Sequence, residues 1–252
     1  METSLHRQLK EVYAVGAAQT EVPLGDYRID VVNSDVLIEI QHGSLSAIRD
    51  KVRKLLKSHN VLIVKPILIE KRLIKLDKKG GKVVSRRKSP KTGSLLDVFD
   101  ELIYFTRVYP HPNLCLEVPL VDVDEFRYPG HGRRRRRRKN DFQVQDRVLT
   151  KIRETHRFNT AMDLARVVPP GLPKPFHTGH LAEKLGVKRW VAQRIAYCYR
   201  HMGTAKVVGK EGNANLYEFG VGKRNAKRRP TKKKARRKAA SPTSSKRKRV
   251  GT

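Results

Sequence analysis

Residues 21–41, EVPLGDYRIDVVNSDVLIEIQ, decide the fold class. Two runs rich in apolar and β-branched residues, 21–32 and 33–41, are joined by a tight polar turn and read as two successive strands. Side chains alternate between faces along a strand, so Glu39 and Gln41 fall on one face, with Ile38 and Ile40 on the other. Asp30 lies at the end of the first strand. Downstream, Ser44 and Ser46 can cap LSAIRDKVRKLLKSH (45–59), which reads as a helix, and NVLIVKPILI (60–69) reads as an apolar strand. Upstream, residues 4–15 read as a helix. Hairpin, helix and strand in this order predict an α/β unit.

Further out, LIKLDKKGGKVVSR (73–86) predicts a hairpin whose lysine-rich turn, Asp77 to Gly81, can lean on a phosphate backbone. Ser94 to Phe105 reads as a helix with Leu95, Leu96, Phe99, Leu102 and Ile103 on its apolar face. Leu114 to Val123 alternates and reads as a strand. His111 and His131 sit in Pro- and Gly-rich loops and are assigned no role.

Charge divides the rest of the chain. The 252 residues carry 56 Lys and Arg against 24 Asp and Glu, a formal net charge of +32. Residues 127–139 hold 8 basic and no acidic side chains, and residues 221–252 hold 15 and none. Neither segment has the apolar content to form a core, so both read as disordered basic arms. Arms of this kind gain free energy on a polyanion by releasing its counterions, which points to nucleic acid. The expected organisation is an α/β domain over 1–126, a basic linker over 127–140, a second small domain with its own core over 141–220, and a basic tail over 221–252. Cys115 and Cys198 are far apart and lack a ligand cluster, so neither a disulfide framework nor a zinc site is expected. METSLHRQLK lacks the apolar stretch of a signal peptide, and no apolar run approaches the roughly 18 residues of a membrane span. The expectation is a soluble cytoplasmic protein with no membrane partner, nucleoid-associated if the source is bacterial, although the basic tail would also suit a nucleus.

Between the arms, VQDRVLTKIRETH (144–156) places Val144, Val148, Leu149 and Ile152 at helical spacing and predicts an amphipathic helix. Thr160 can cap AMDLARVV, and Pro169, Pro170, Gly171 and Pro173 then impose a loop. Thr178 begins a short helix through Leu185, Gly186 makes a turn, and a second helix starts near Lys188. On that second helix Val191, Ile195 and Cys198 or Tyr199 face inward, while Lys188, Arg189, Gln193, Arg194 and Arg200 project as donors to bases and phosphates. Two short strands, Val207–Val208 and Leu216 to Phe219, flank the turn that contains Lys210. The stretch LAEKLGV…AQRIAYCYRHMG with this hairpin resembles the winged helix-turn-helix superfamily. The resemblance implies a second helix in the major groove of double-stranded DNA and a wing on its backbone. Arg133, Arg134, Arg135 and Arg136 of the linker and Lys210 of the wing are the expected phosphate contacts.

In the first domain, G-x-x-x-x-D followed by I-E-x-Q and a helix resembles the core of the PD-(D/E)XK nuclease superfamily. IEIQHGSLSAIRDKV is most similar to its CoiA-like branch, which has glutamine where the usual motif has lysine. The resemblance implies a restriction-endonuclease-like mixed sheet with flanking helices. It also implies that Asp30 and Glu39 hold Mg²⁺ (or Mn²⁺) and that Glu11 on the first helix adds a further acid. Mg²⁺ suits such a site, because it is a hard cation held by one or two carboxylates with phosphate oxygens and water. Gln41 can orient a water but brings no positive charge to the transition state. Lys65, at the end of the next strand, is the candidate to supply that charge, with Arg49 second. The leading expectation is a metal-dependent DNA endonuclease. The rivals are a non-catalytic DNA-binding or architectural protein on a degenerate nuclease scaffold, and an RNA-binding protein.

Overall fold

A computed structural model describes residues 3–130 and 141–220. The chain opens with α1 (Ser4–Tyr13), followed by β1 (Gln19–Leu24), β2 (Tyr27–Asn33) and β3 (Val36–Ile40). A 3-10 turn, Leu45–Ile48, leads into α2 (Arg49–Leu55), then β4 (Asn60–Val64), β5 (Ile67–Leu76) and β6 (Val83–Lys88). After α3 (Val98–Leu102) come two long strands, β7 (Leu114–Pro129) and β8 (Phe142–Phe158). The result is an α/β architecture built on one mixed sheet of eight strands.

β7 is the spine of that sheet. β8 runs antiparallel along one edge of it, while β4 and then β5 run parallel along the other. The break between β4 and β5 falls at Lys65–Pro66, where proline has no N–H to give to a ladder. The outer edge divides at the same point: β4 continues into β3, β2 and β1, whereas β5 pairs with β6. Successive side chains fill two layers. Leu5 and Leu9 of α1 pack on Ile38, Ile40, Leu62, Val64, Val121 and Val123. On the opposite face Val52 and Leu55 of α2, with Val98, Phe99 and Leu102 of α3, pack on Leu37, Val61 and Ile63.

The helix expected over 144–156 is instead part of β8, and the reason lies in its spacing. Val144, Val148 and Ile152 recur every four residues, which satisfies a helix and is also an even number that satisfies a strand. Several of its residues are β-branched, and the free edge of β7 supplies a partner along its length, so the strand wins. Ser4 and Gln8 of α1 bond to Asp146 and to the N–H of Leu149, fixing β8 beneath that helix. The sheet therefore extends to Phe158, past the expected domain boundary at 141.

Beyond the sheet lie α4 (Ala161–Ala165), α5 (Thr178–Leu185), α6 (Arg189–Met202), β9 (Ala205–Glu211) and β10 (Ala214–Phe219). Thr160 caps α4, and Gly186, with φ of +62°, terminates α5 in the left-handed conformation that glycine adopts without penalty. β9 and β10 form a hairpin, and Phe176 bridges to Tyr217 beside it. The separate core expected for these elements is not formed. Ala192, Ile195, Cys198 and Tyr199 of α6 join the same apolar cluster as Phe99, Leu102 and Phe105. The rings of Phe99 and Tyr199 meet edge to face at 5.6 Å, and the Tyr109 hydroxyl donates to the Thr160 carbonyl at 2.7 Å. Packing of α6 on α3 joins the two halves.

Because that core is shared, Phe99→Ala should destabilise both halves together, by about 3–5 kcal/mol. Urea unfolding followed by far-UV circular dichroism and by the fluorescence of Trp190 should give coincident curves that shift together in the variant. A Trp190 transition left unmoved by the substitution would mean that the C-terminal elements fold on their own.

Candidate functional site

β2 and β3 pair only from Val31↔Ile38 to Asn33↔Val36, and then part. Asp30 and Glu39 are the next residues beyond the last pair, one on each strand, so they face each other across the opening fork. The ladder on the other side of Asp30 is also irregular. Between Thr20↔Val31 and Val22↔Ile29 no pair forms at Glu21, whose φ is +57°. Ile29 and Val31, two residues apart, contribute to opposite layers, so β2 rotates at Asp30. That rotation frees the Asp30 carboxylate to cap the strand it faces: Oδ2 accepts from the N–H of Ile40 at 2.8 Å.

Each carboxylate has a cation or an N–H group beside it, brought by a different helix. From α1, Nε2 of His6 lies 3.3 Å from Asp30 Oδ2 and 3.0 Å from the carbonyl oxygen of Ile40. A carbonyl can only accept, so Nε2 carries the proton. From α2, Nζ of Lys51 lies 2.7 Å from Glu39 Oε1 and also donates to the Arg28 carbonyl. Lys51 is thus the close cationic partner of the buried Oε1.

The two acids are driven apart in acidity. Burial dominates at Glu39, whose side chain is 5% exposed, and the charge of Asp30 adds to it, so despite Lys51 the carboxyl is pushed up to about 7. Burial acts the same way on Asp30 but is outweighed by the hydrogen bonds from His6 and Ile40 and by the charges of His6 and Lys51. Asp30 therefore lies below the ordinary aspartate value. A pair of carboxyls, one held ionised and one poised near neutrality, is a combination that acid–base and metal sites use and that a purely structural ion pair does not need. Carboxylate oxygens from two adjacent strands fit a hard divalent cation. No group of three or more His, Cys, Asp or Glu side chains gathers at metal-binding distance among the described residues.

Several expected residues lie elsewhere. Glu11 is on the exposed side of α1, because five residues from His6 carry it well over a quarter-turn away from the sheet. Gln41 donates to the Ser44 carbonyl at 2.7 Å, which fixes the turn after β3. Lys65 is a buried tie: its ammonium donates to the carbonyls of His42 and Gly43 and pairs with Glu101 at 3.4 Å. Burial lowers its pKa against the opposing pull of Glu101. Arg49 is half-buried and faces Asp50. Lys51 is the cation at Glu39, and neither Lys51 nor His6 was among the residues expected from sequence. The one signal for Lys51 is helical spacing after the Ile-Glu-x-Gln strand, which Arg49 satisfied equally well.

On α6, Lys188, Arg189, Gln193 and Arg200 are exposed as expected, and so is Lys210 on the hairpin. Arg194 is not free to project: Nη1 pairs with Asp100 of α3 at 2.5 Å, and its guanidinium lies over the Trp190 ring at 4.6 Å. Arg133, Arg134, Arg135 and Arg136, and the tail 221–252, fall outside the described residues. The β5–β6 hairpin is a further basic surface. Lys75, Lys78, Lys79, Lys82, Arg86 and Arg87 project from it, and every residue of β6 is exposed. Among the described residues no helix is long and apolar enough to cross a membrane.

Comparison with other proteins is consistent with the extent of the sheet. The family model described as Domain of unknown function (DUF8091) matches residues 3–159, from the start of α1 to the end of β8. A protein of Treponema pallidum (strain Nichols), described as an uncharacterized protein, is 30% identical over 219 residues, which is 86% of this chain and 84% of that one. No solved structure matches the chain.

Linkage gives the site a pH signature. Between pH 4.5 and about 7 the folded state holds the Glu39 proton more tightly than the unfolded chain does. The contribution of Glu39 to stability therefore falls as pH rises through that interval, by about 3 kcal/mol in total. Asp30 has the opposite sign: its contribution is present above the ordinary aspartate pKa and is lost as pH falls. Urea denaturation from pH 4 to 8 should show wild type losing stability relative to Glu39→Gln until the difference levels off above about 7. A difference that does not change with pH would contradict the burial of a titrating carboxyl there.

Proposed function

We propose that the chain, which belongs to the DUF8091 family, is a DNA-binding protein whose Asp30–Glu39 fork is a metal-dependent phosphodiesterase site of the PD-(D/E)XK type. The observation that carries this reading is the pairing of an ionised Asp30 with a buried Glu39 poised near neutrality, opposite each other on parting strands. The succession α1, three antiparallel strands, α2 and a parallel β4 supports it, as does the +32 charge. Asp30 and Glu39 would hold Mg²⁺ or Mn²⁺, which supplies polarisation of a phosphate and a more acidic bound water. Lys51, in this reading, pairs with a non-bridging phosphate oxygen and carries the positive charge that Gln41 cannot bring. His6 holds Asp30 ionised and oriented through its Nε2–H. The helices α4, α5 and α6, the Phe176 bridge and the β9–β10 hairpin follow one another in the order of a winged helix, which supports nucleic-acid binding by this end of the chain.

The specific observation favouring a non-catalytic protein is Gln41, whose amide is occupied by the Ser44 carbonyl. Supercoiled plasmid incubated with the protein and Mg²⁺ or Mn²⁺ separates the two readings. Cleavage should occur in wild type and fall by more than about a hundredfold in Asp30→Asn and Glu39→Gln, beyond the ~10–100-fold typical of losing an outer-shell partner. Lys51→Met should lower cleavage while leaving duplex binding intact. Absence of cleavage with binding retained would leave the scaffold reading. Removing residues 221–252 should weaken binding to every duplex and flatten its salt dependence, and competition by structured RNA would show whether DNA is the preferred polyanion.

A further inference from the structure

Trp190 is the single tryptophan of the chain, and it is half exposed. A second exposed aromatic ring shares its side of the helix. Tyr197 follows two turns later on the same side of α6 and is 42% exposed. Trp190, Gln193, Arg194 and Tyr197 line an open hollow of about 480 Å³ with Ile103 as its remaining wall. Burial in this protein does not need these rings, since the apolar side of α6 is already occupied by Ile195, Cys198 and Tyr199.

The indole is also held in place. Asp100 fixes Arg194, and the Arg194 guanidinium covers one face of the Trp190 ring, so a planar partner meets a preset surface instead of a mobile side chain. Along the same element Arg189 and Arg200, with Lys188 at its N-cap, are exposed, and α6 contains no acidic residue. A cationic helix displaying ordered rings and a glutamine amide suits a ligand that is anionic along its backbone and planar in its side groups. We infer that this face of α6 is a stacking site for unpaired bases of single-stranded nucleic acid, with Trp190 and Tyr197 as the platform and Gln193 at the base edge. The faces of paired bases are hidden inside a duplex, whereas an unpaired base offers them to an aromatic ring. The position of α3 argues the same way: Asp100 and Ile103 flank the helix that would otherwise enter a major groove, and Arg194 is already engaged. The inference rests on the nucleic-acid reading above and adds to it the state of the strand that this helix takes.

The sole tryptophan makes the test direct. The full chain is titrated with single-stranded oligothymidylate and with a duplex of equal length, recording Trp190 fluorescence together with the anisotropy of a label on the DNA. The single strand should quench Trp190, and the duplex should bind with little quenching. Trp190→Ala should weaken single-strand binding about tenfold, leaving duplex affinity and the salt dependence unchanged, while Trp190→Phe should retain most of it. Circular dichroism should show the variants folded, as expected for a half-exposed position. Equal quenching by duplex, or single-strand affinity indifferent to Trp190→Ala, would overturn the stacking site while leaving nucleic-acid binding in place. Absence of binding to either DNA would overturn the broader reading with it. A fluorescence change that follows protein concentration alone, with a doubled mass in sedimentation, would assign the patch to a second copy of the chain and overturn the inference.

Discussion

One buried ammonium ties the separate parts of this molecule together. Lys65 stands where the strand along β7 breaks into β4 and β5, and it donates back to the carbonyls of His42 and Gly43 in the turn that follows β3. It pairs with Glu101 of α3, whose other carboxylate oxygen accepts from the N–H of Leu45 at the start of the turn into α2. A buried charge of this kind is tolerated only when partners surround it, and removing one partner typically costs about 3–5 kcal/mol. The fork of the sheet, the turn after the candidate site and the helix that receives α6 are thus all fixed to the same nitrogen.

The site itself works against stability. A carboxyl with a raised pKa prefers the unfolded state once it ionises, so the protein holds Glu39 buried at a cost that grows toward neutral pH. Lys51 reduces that cost without removing it, because burial and the neighbouring Asp30 charge outweigh its ammonium. Local rules are broken at the same place: a non-glycine residue with positive φ, a missing ladder pair, and a strand that changes face at Asp30. Irregularities concentrated beside two acids of opposite acidity fit a segment selected for chemistry more readily than one selected for packing.

Much of this was legible in the residues, and the failures share a physical origin. The strands around Asp30 and Glu39, the helix after them and the apolar β4 follow from alternation and capping, which act locally. β8 did not, because a four-residue spacing is common to both periods and its partner is distant in sequence. Long-range contacts also decided the side chains that were misassigned: Lys65 was drawn to Glu101 and Arg194 to Asp100, and both acids lie on an α3 shorter than the helix expected there. His6 was hidden because no motif marks it, and only the docking of α1 over β8 carries it to the fork. The shared core was obscured by the arginine run, whose composition suggests a separator although the strands on either side of it pair with each other.

The β5–β6 hairpin has a further meaning at the rim of the sheet. Among the described residues β6 is a terminal strand whose outer backbone edge has no partner, the kind of edge on which chains add to one another. Arg86, Arg87 and Lys88 stand along it, with the lysines of the adjoining turn close by, so two copies approaching edge to edge would bring like charges together. That safeguard is electrostatic and is only as strong as the charges are bare. Were a polyanion to neutralise them, the repulsion would fade, and molecules that keep their distance in free solution would become able to crowd side by side.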